Sequence, residues 1–212
     1  MVKQFTFNHF EVNCYLVVDE STKQCAIVDP ACEASFEDAQ LVQYIEQEGL
    51  VVTHILLTHA HVDHIAGLRQ VCEHFGLPVT MHPEGRKLLR QAEAYGSVMG
   101  FAVDNMGDLA VNEIADNDIL MVGNTEVECR YVPGHCPGSM CFVLHGEKVV
   151  ITGDALFHFS IGRTDLPGGD YPTLIEMLQA RVLTLPDDYI VLPGHGIGSQ
   201  IGKEKKYNSF LQ

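Results

Sequence analysis

Four residues of metal-ligand type fall within six positions of this chain, in His59-x-His61-x-Asp63-His64. Imidazole nitrogen and carboxylate oxygen are the donors that borderline and hard divalent ions prefer, so the pattern points to a metal centre. On a helix, residues two apart project about 200° apart and cannot share an ion. His59 and His61 can therefore converge only from a strand end or a loop. Asp63 and His64 then stand where the chain turns into its next element and can face a second ion beside the first. Three further residues have the same local setting: His135 in Val132-Pro-Gly-His-Cys-Pro-Gly, Asp154 in Val150-Ile-Thr-Gly-Asp, and His195 in Val191-Leu-Pro-Gly-His-Gly. Each follows an apolar run, and the glycine before it permits a tight backbone bend. Taken singly, a Pro-Gly-His or a Thr-Gly-Asp carries little weight, but seven ligand-type residues in one kind of setting carry much more. Five histidines and two aspartates can supply two ions with one carboxylate shared. Two divalent ions about 3.5–4 Å apart acidify a bridging water and polarise a carbonyl oxygen. Such a pair hydrolyses a thioester, ester or lactam without a covalent enzyme intermediate.

These residues need strands to present them. Val2–Phe7, Asn13–Val18 and Gln24–Val28 read as short strands, followed by a helix over Phe36–Glu48 that Gly49 closes. Val51–Leu57 is apolar along most of its length, as a strand covered on both faces is, and it runs straight into the His59 motif. A helix is expected from there through Phe75, then a strand at Leu77–Met81 and a helix over Pro83–Ala94. Tyr95–Val111 lacks periodicity and reads as an irregular covering loop. Strands follow at Glu126–Val132, Ser139–Leu144, Val149–Thr152 and Tyr189–Leu192, with a helix near Pro172–Leu183. The order resembles two similar halves, which two packed sheets with helices outside would accommodate. No low-complexity linker interrupts the chain, so residues 1–212 are read as one domain.

The 212 residues carry 13 Lys+Arg against 28 Asp+Glu, a formal net charge of −15. That balance excludes a general nucleic-acid binder and argues against docking on anionic membranes, although a local metal site can still take an anionic substrate. Seven scattered cysteines without a Cys-x-x-Cys pair fit reduced thiols. With neither a secretory signal nor a run long enough to span a bilayer, a cytoplasmic protein is expected.

In its motif and in the order Gly134-His135, Gly153-Asp154, Gly194-His195, the chain resembles the metallo-β-lactamase superfamily. Gly153-Asp-Ala-Leu-Phe, Gly162-Arg-Thr-Asp and Gly202-Lys-Glu-Lys-Lys look most like its short glyoxalase II-type hydrolases. The resemblance implies an α/β fold, a four-layer αβ/βα sandwich of two mixed sheets. It also implies two divalent metal ions, zinc being expected, with iron or manganese as the other choices. The first ion would lie on His59, His61 and His135, the second on Asp63, His64 and His195, with Asp154 bridging. Asp63 would be catalytic, orienting the attacking hydroxide and taking its proton. A small-molecule thioester such as S-D-lactoylglutathione is the implied substrate, with Arg163 as a cationic contact and Lys203 and Lys206 flanking its acidic end. Longer glyoxalase II enzymes have a C-terminal helical region that grips glutathione, and no such region is expected here, the sequence reading to Gln212. They also tend to have Glu-Tyr where Gly196-Ile197 stands, so the thiol is left open. Two rival readings stand beside this one. Gly162-Arg-Thr-Asp is also similar to mononuclear-iron persulfide dioxygenases of the superfamily, in which His59, His135 and Asp154 would hold the iron. The other is a non-catalytic metal-binding protein.

Overall fold

Residues Val12–Val18 are buried at every position, and their side chains enter two different cores by turns. Cys14, Leu16 and Val18 belong to one, and Tyr15 and Val17 to the other. A strand of this kind must be covered on both faces. The computed structural model describes residues 1–212 and supplies both covers. The first sheet runs in the order β1 (Val2–Phe7), β2 (Val12–Val18), β3 (Gln24–Val28), β4 (Val51–Leu56), β5 (Val79–Met81), β6 (Val111–Glu113). Its first two pairings are antiparallel and the other three parallel. The second half contributes β7 (Ile119–Val122), β8 (Thr125–Tyr131), β9 (Met140–Leu144), β10 (Val149–Gly153), β13 (Ile190–Pro193) and β14 (Ser199–Gln200). These form a mixed sheet ordered β14-β13-β10-β9-β8-β7, while β11 (Leu156–Phe157) and β12 (Ser160–Ile161) form a separate hairpin.

Three cores hold the layers together. Leu41 and Ile45 of α1 (Ser35–Gln47) and Leu68 and Val71 of α2 (Leu68–Phe75) cover the outer face of the first sheet. Tyr15, Val17 and Leu56 meet Val127, Met140 and Phe142 between the sheets. Leu174 of α5 (Tyr171–Met177), Leu178 and Val182 of the π-helical turn that continues it, and Ile201 of α6 (Ile201–Tyr207) cover Val143 and Val150 of the second sheet. Burying each such aliphatic side chain is worth about 1.5–3 kcal/mol, which fixes which face of every strand turns inward. The result is the expected four-layer αβ/βα sandwich.

Between the strands the structure departs from the sequence reading in several places. Residues 62–67 form a tight turn, and α2 begins only at Leu68, where the Gly67 N–H is held by the Pro30 carbonyl. The helix expected over Pro83–Ala94 is instead a single 3-10 turn at Pro83–Gly85, α3 (Arg86–Arg90) and α4 (Ala92–Met99). Thus α4 takes the first five residues of the expected loop, and Gly100 ends it in the left-handed conformation that favours glycine. The short strands β6 and β7 carry too few residues for a readable alternation. The segment carrying Lys203 and Lys206 is helical, in α6.

Chain reversals gather the functional residues at one end of the sandwich. The motif after β4, His135 after β8, Asp154 after β10 and His195 after β13 all leave the C-terminal ends of their strands. The two halves are tied there directly: the Asn13 N–H donates to the Gly194 carbonyl at 2.7 Å, and the Tyr15 hydroxyl to the Pro193 carbonyl at 2.7 Å. Gly153 has φ +48°, and a Cβ added there would fall 2.4 Å from Thr58 Oγ1, so the strand ends can close up only around glycine.

Candidate metal centre

His59, His61 and His135 come together through β4 and β8, which belong to different sheets. His59 Nε2 lies 3.1 Å and His135 Nε2 2.9 Å from His61 Nδ1. Three donors around a tetrahedral ion at 2.0–2.1 Å would be roughly 3.3 Å apart, so the spacing fits. The far nitrogens fix the tautomers. His135 Nδ1 is 2.8 Å from the Arg163 carbonyl, which can only accept, so that nitrogen carries the proton. The Thr58 hydroxyl donates to Asp29 Oδ2 at 2.6 Å and therefore accepts from His59 Nδ1 at 3.0 Å. Both Nε2 atoms then point bare lone pairs at His61 Nδ1, which can donate to one of them at most. A cation resolves that conflict. Burial pushes the His61 pKa down to about 4, and burial likewise lowers those of His59 and His135, so all three imidazoles are neutral and ready to bind near neutrality.

Beside this trio, Asp63, His64 and His195 form a second set whose donor atoms lie within 4.8 Å of one another. His195 Nε2 is 3.2 Å from Asp63 Oδ2 and 3.3 Å from His64 Nε2. Their far nitrogens are again occupied, His195 Nδ1 by the Phe10 carbonyl at 2.9 Å and His64 Nδ1 by Asp29 Oδ2 at 2.9 Å. Asp154 stands between the sets. Its Oδ1 is 3.3 Å from His64 Nε2, and its Oδ2 is 3.6 Å from His195 Nε2 and 3.7 Å from His135 Nε2. Oδ1 is buried and has no hydrogen-bond donor, the condition of a carboxylate oxygen waiting for a cation. Burial opposes charge on His64, but the Asp154 and Asp63 carboxylates outweigh it and raise the His64 pKa well above the imidazole range. His195 is raised in the same way, against burial, by its bond to Asp63 and the charge of Asp154. Against the same burial, His64 and the neighbouring imidazoles hold both carboxylates below their usual range, so both stay ionised.

All seven residues singled out in the sequence thus converge. Asp29 was missed. It is 1% exposed at φ +51°, and it accepts from the Thr58 N–H at 2.7 Å, the Thr58 hydroxyl and His64 Nδ1. It orients two of the candidate ligands, His59 through Thr58 and His64 directly. It follows β3 as the other residues follow their strands, which is the signal that could have found it. Cys136 also lies near the histidine trio, but burial pushes its thiol up to about 12 and Ser139 Oγ is 3.3 Å away.

Arg163 lines the cavity above the cluster, though its guanidinium is exposed and makes two 2.8 Å bonds to the Asp165 carboxylate. Lys203 and Lys206 do not line it. Both are exposed on α6, and the Lys206 ammonium sits 5.0 Å from the Tyr207 ring centroid.

Removing metal should destabilise the protein. An ion held at a hundred times its dissociation constant contributes about 2.7 kcal/mol, so chelation is expected to lower the thermal midpoint and re-addition to restore it. The two sets should also empty in order. A raised pKa means that protons compete with metal at higher pH, so His64 and His195 protonate first as pH falls. As pH falls, the Asp63, His64 and His195 set should lose its ion before the set containing His61 does. Elemental analysis after dialysis checks this, and simultaneous loss would contradict it.

Residues 8–195 match the family model of the metallo-beta-lactamase superfamily. Hydroxyacylglutathione hydrolase GloC of Haemophilus influenzae is 38% identical, over 95% of this chain and 93% of that protein. Among solved structures, the BLEG-1 B3 metallo-beta-lactamase superposes with a TM-score of 0.90 at 33% identity, covering both chains fully. TTHA1623 in a di-iron-bound form has a TM-score of 0.88 at 33% identity, over 99% of this chain and 100% of the other.

Proposed function

The chain belongs to the metallo-beta-lactamase superfamily, and from that membership we propose that it is a thioester hydrolase working with two divalent metal ions, zinc in the first instance. The observation that carries the proposal is the pair of donor sets, one neutral and one bearing a carboxylate, with Asp154 between them and its Oδ1 unpartnered, beneath an open cavity. His59, His61 and His135 would hold one ion, Asp63, His64 and His195 the other, with Asp154 between them. When bound, the ions make a water acidic enough to attack at neutral pH and offset charge growing on the carbonyl oxygen. The residues of the chain do the remainder. Asp63 lines the cavity floor, stays ionised against its burial, and accepts the proton of the attacking water. The carbonyls of Arg163 and Phe10 and the carboxylate of Asp29 keep the imidazoles in the tautomers that ligation requires. Arg163 stands at the cavity as a substrate contact once its pair with Asp165 opens.

The similarity to a hydroxyacylglutathione hydrolase supports a thioester as the scissile group and makes S-D-lactoylglutathione the first substrate to test. Seven buried, unpaired cysteines favour a reducing compartment, the cytoplasm. Because both sheets contribute donors to one cluster, we read residues 1–212 as one domain. Elemental analysis of the purified protein, paired with assays on S-D-lactoylglutathione and a thioester panel, tests the proposal. About two divalent ions per chain and metal-dependent thiol release are expected. About one iron per chain with O₂ uptake on a persulfide would overturn the hydrolase reading in favour of a dioxygenase.

A further inference from the structure

The cavity above the candidate ligands encloses about 530 Å³. Its floor is polar, formed by His61, Asp63, His135, Asp154 and His195, while its walls are apolar, with Phe10, Leu88, Tyr95, Val98, Met99 and Leu166 prominent. Three of these come from α4, and they continue to the surface: Val98 is 82% exposed and Met99 45%. Apolar side chains this exposed, rimming a polar floor, mark a surface that something apolar covers. Charge on the walls points the same way. Arg163 is the only lysine or arginine lining the cavity, and its Nε and Nη2 are already engaged by the Asp165 carboxylate. A glutathione thioester would bring two carboxylates and an ammonium to walls whose one cation is already paired with Asp165, and desolvating unpaired ions is costly.

Resting on the thioester-hydrolase reading, we propose that the substrate is a thioester with an apolar acyl chain. Its carbonyl would sit over the ligand floor and its chain along α4, against Tyr95, Val98 and Met99. Water adds to the acyl carbon and gives one proton to Asp63, the C–S bond breaks, and the sulfur leaves as a thiol on receiving that proton. The acyl group departs as a carboxylic acid, which releases water's second proton to solvent and becomes a carboxylate.

The test uses the metal-loaded protein with S-octanoyl- and S-acetyl-N-acetylcysteamine, whose thiol part is uncharged, and with S-D-lactoylglutathione. Each methylene buried along α4 is worth about fourfold, so kcat/KM should be at least about tenfold higher for octanoyl than for acetyl, and also above lactoylglutathione. Val98→Asp alters a side chain too exposed to support the fold and should bring the octanoyl-to-acetyl ratio down toward one. A second readout needs no turnover. By calorimetry, the thioether S-octyl-N-acetylcysteamine should bind at least about tenfold more tightly than its S-ethyl analogue, and Val98→Asp should erase the difference. Thioester turnover without a chain-length preference would overturn the apolar site and leave the hydrolase reading standing. Chain-length-dependent thioether binding without turnover of any thioester would do the reverse, and equal thioether affinities would overturn the apolar site whatever the kinetics.

Discussion

Asp63→Asn is expected to lower kcat/KM for thioester hydrolysis by about 10²–10⁴-fold, the range that a positioned general base contributes. The substitution keeps the shape of the side chain and removes its negative charge and proton affinity. The backbone should not move, because the Asp63 carbonyl is held by Asn8 Nδ2 at 2.9 Å and that bond does not involve the side chain. The change also weakens one ligand of the second set, since Asp63 Oδ2 is 3.2 Å from His195 Nε2. Metal content therefore has to be measured alongside the rate. If the variant keeps its metal and its activity falls severely, Asp63 handles the proton. If activity returns in excess zinc, Asp63 is a ligand and no more. A metal-replete variant within about threefold of the parent would remove Asp63 from the chemistry altogether.

Asp29→Ala should be the most damaging change outside the ligands themselves. Three buried donors would lose their acceptor at once: the Thr58 N–H, the Thr58 hydroxyl and His64 Nδ1. Leaving such groups unsatisfied costs on the order of 3 kcal/mol, and losing the partner that orients a histidine ligand typically costs 10–100-fold in metal affinity. Asp29→Asn separates the two effects. Asparagine tolerates the left-handed backbone found at φ +51° and keeps one acceptor oxygen, so the fold should survive in urea titration. It cannot serve all three donors, and so metal affinity at His64 should still fall about 10-fold or more. Equal metal affinity in the parent and Asp29→Asn would show that the carboxylate is not needed to hold His64.

The seven candidate ligands were legible because their chemistry is local. Residue type fixes the donor atom, and a spacing of two rules out a helix for His59 and His61, while a glycine before His135, Asp154 and His195 marks a sharp bend. The mostly apolar run of β4 was likewise readable as a strand between two layers, although only its last two residues are fully buried, whereas β2 is buried throughout. What lay beyond reach depends on pairing across the fold. His64 and His195 are 131 positions apart, and only the closing of one sheet on the other places their Nε2 atoms 3.3 Å from each other. That closing also divides the seven residues into a neutral trio and a carboxylate-bearing set, a split the motif order could suggest only through resemblance.

Asp29 was hidden for the same reason. An aspartate before a proline reads locally as a turn, and its role exists only because β4 lies beside β3. The apolar face of α4 was read as a loop, since five aperiodic residues give no hint of a helix that Gly100 stops. Arg163 looked like a free cation and is paired two residues on, and Lys203 and Lys206 looked near the site and point elsewhere. The sequence by itself determined which atoms could bind metal and which strands would carry them, because donor chemistry and backbone periodicity belong to short segments. Only the tertiary structure decided which ligands share an ion, what orients them and what faces them across the cavity. Those relations depend on distances between segments far apart in the chain, which are set by the packing of the sheets.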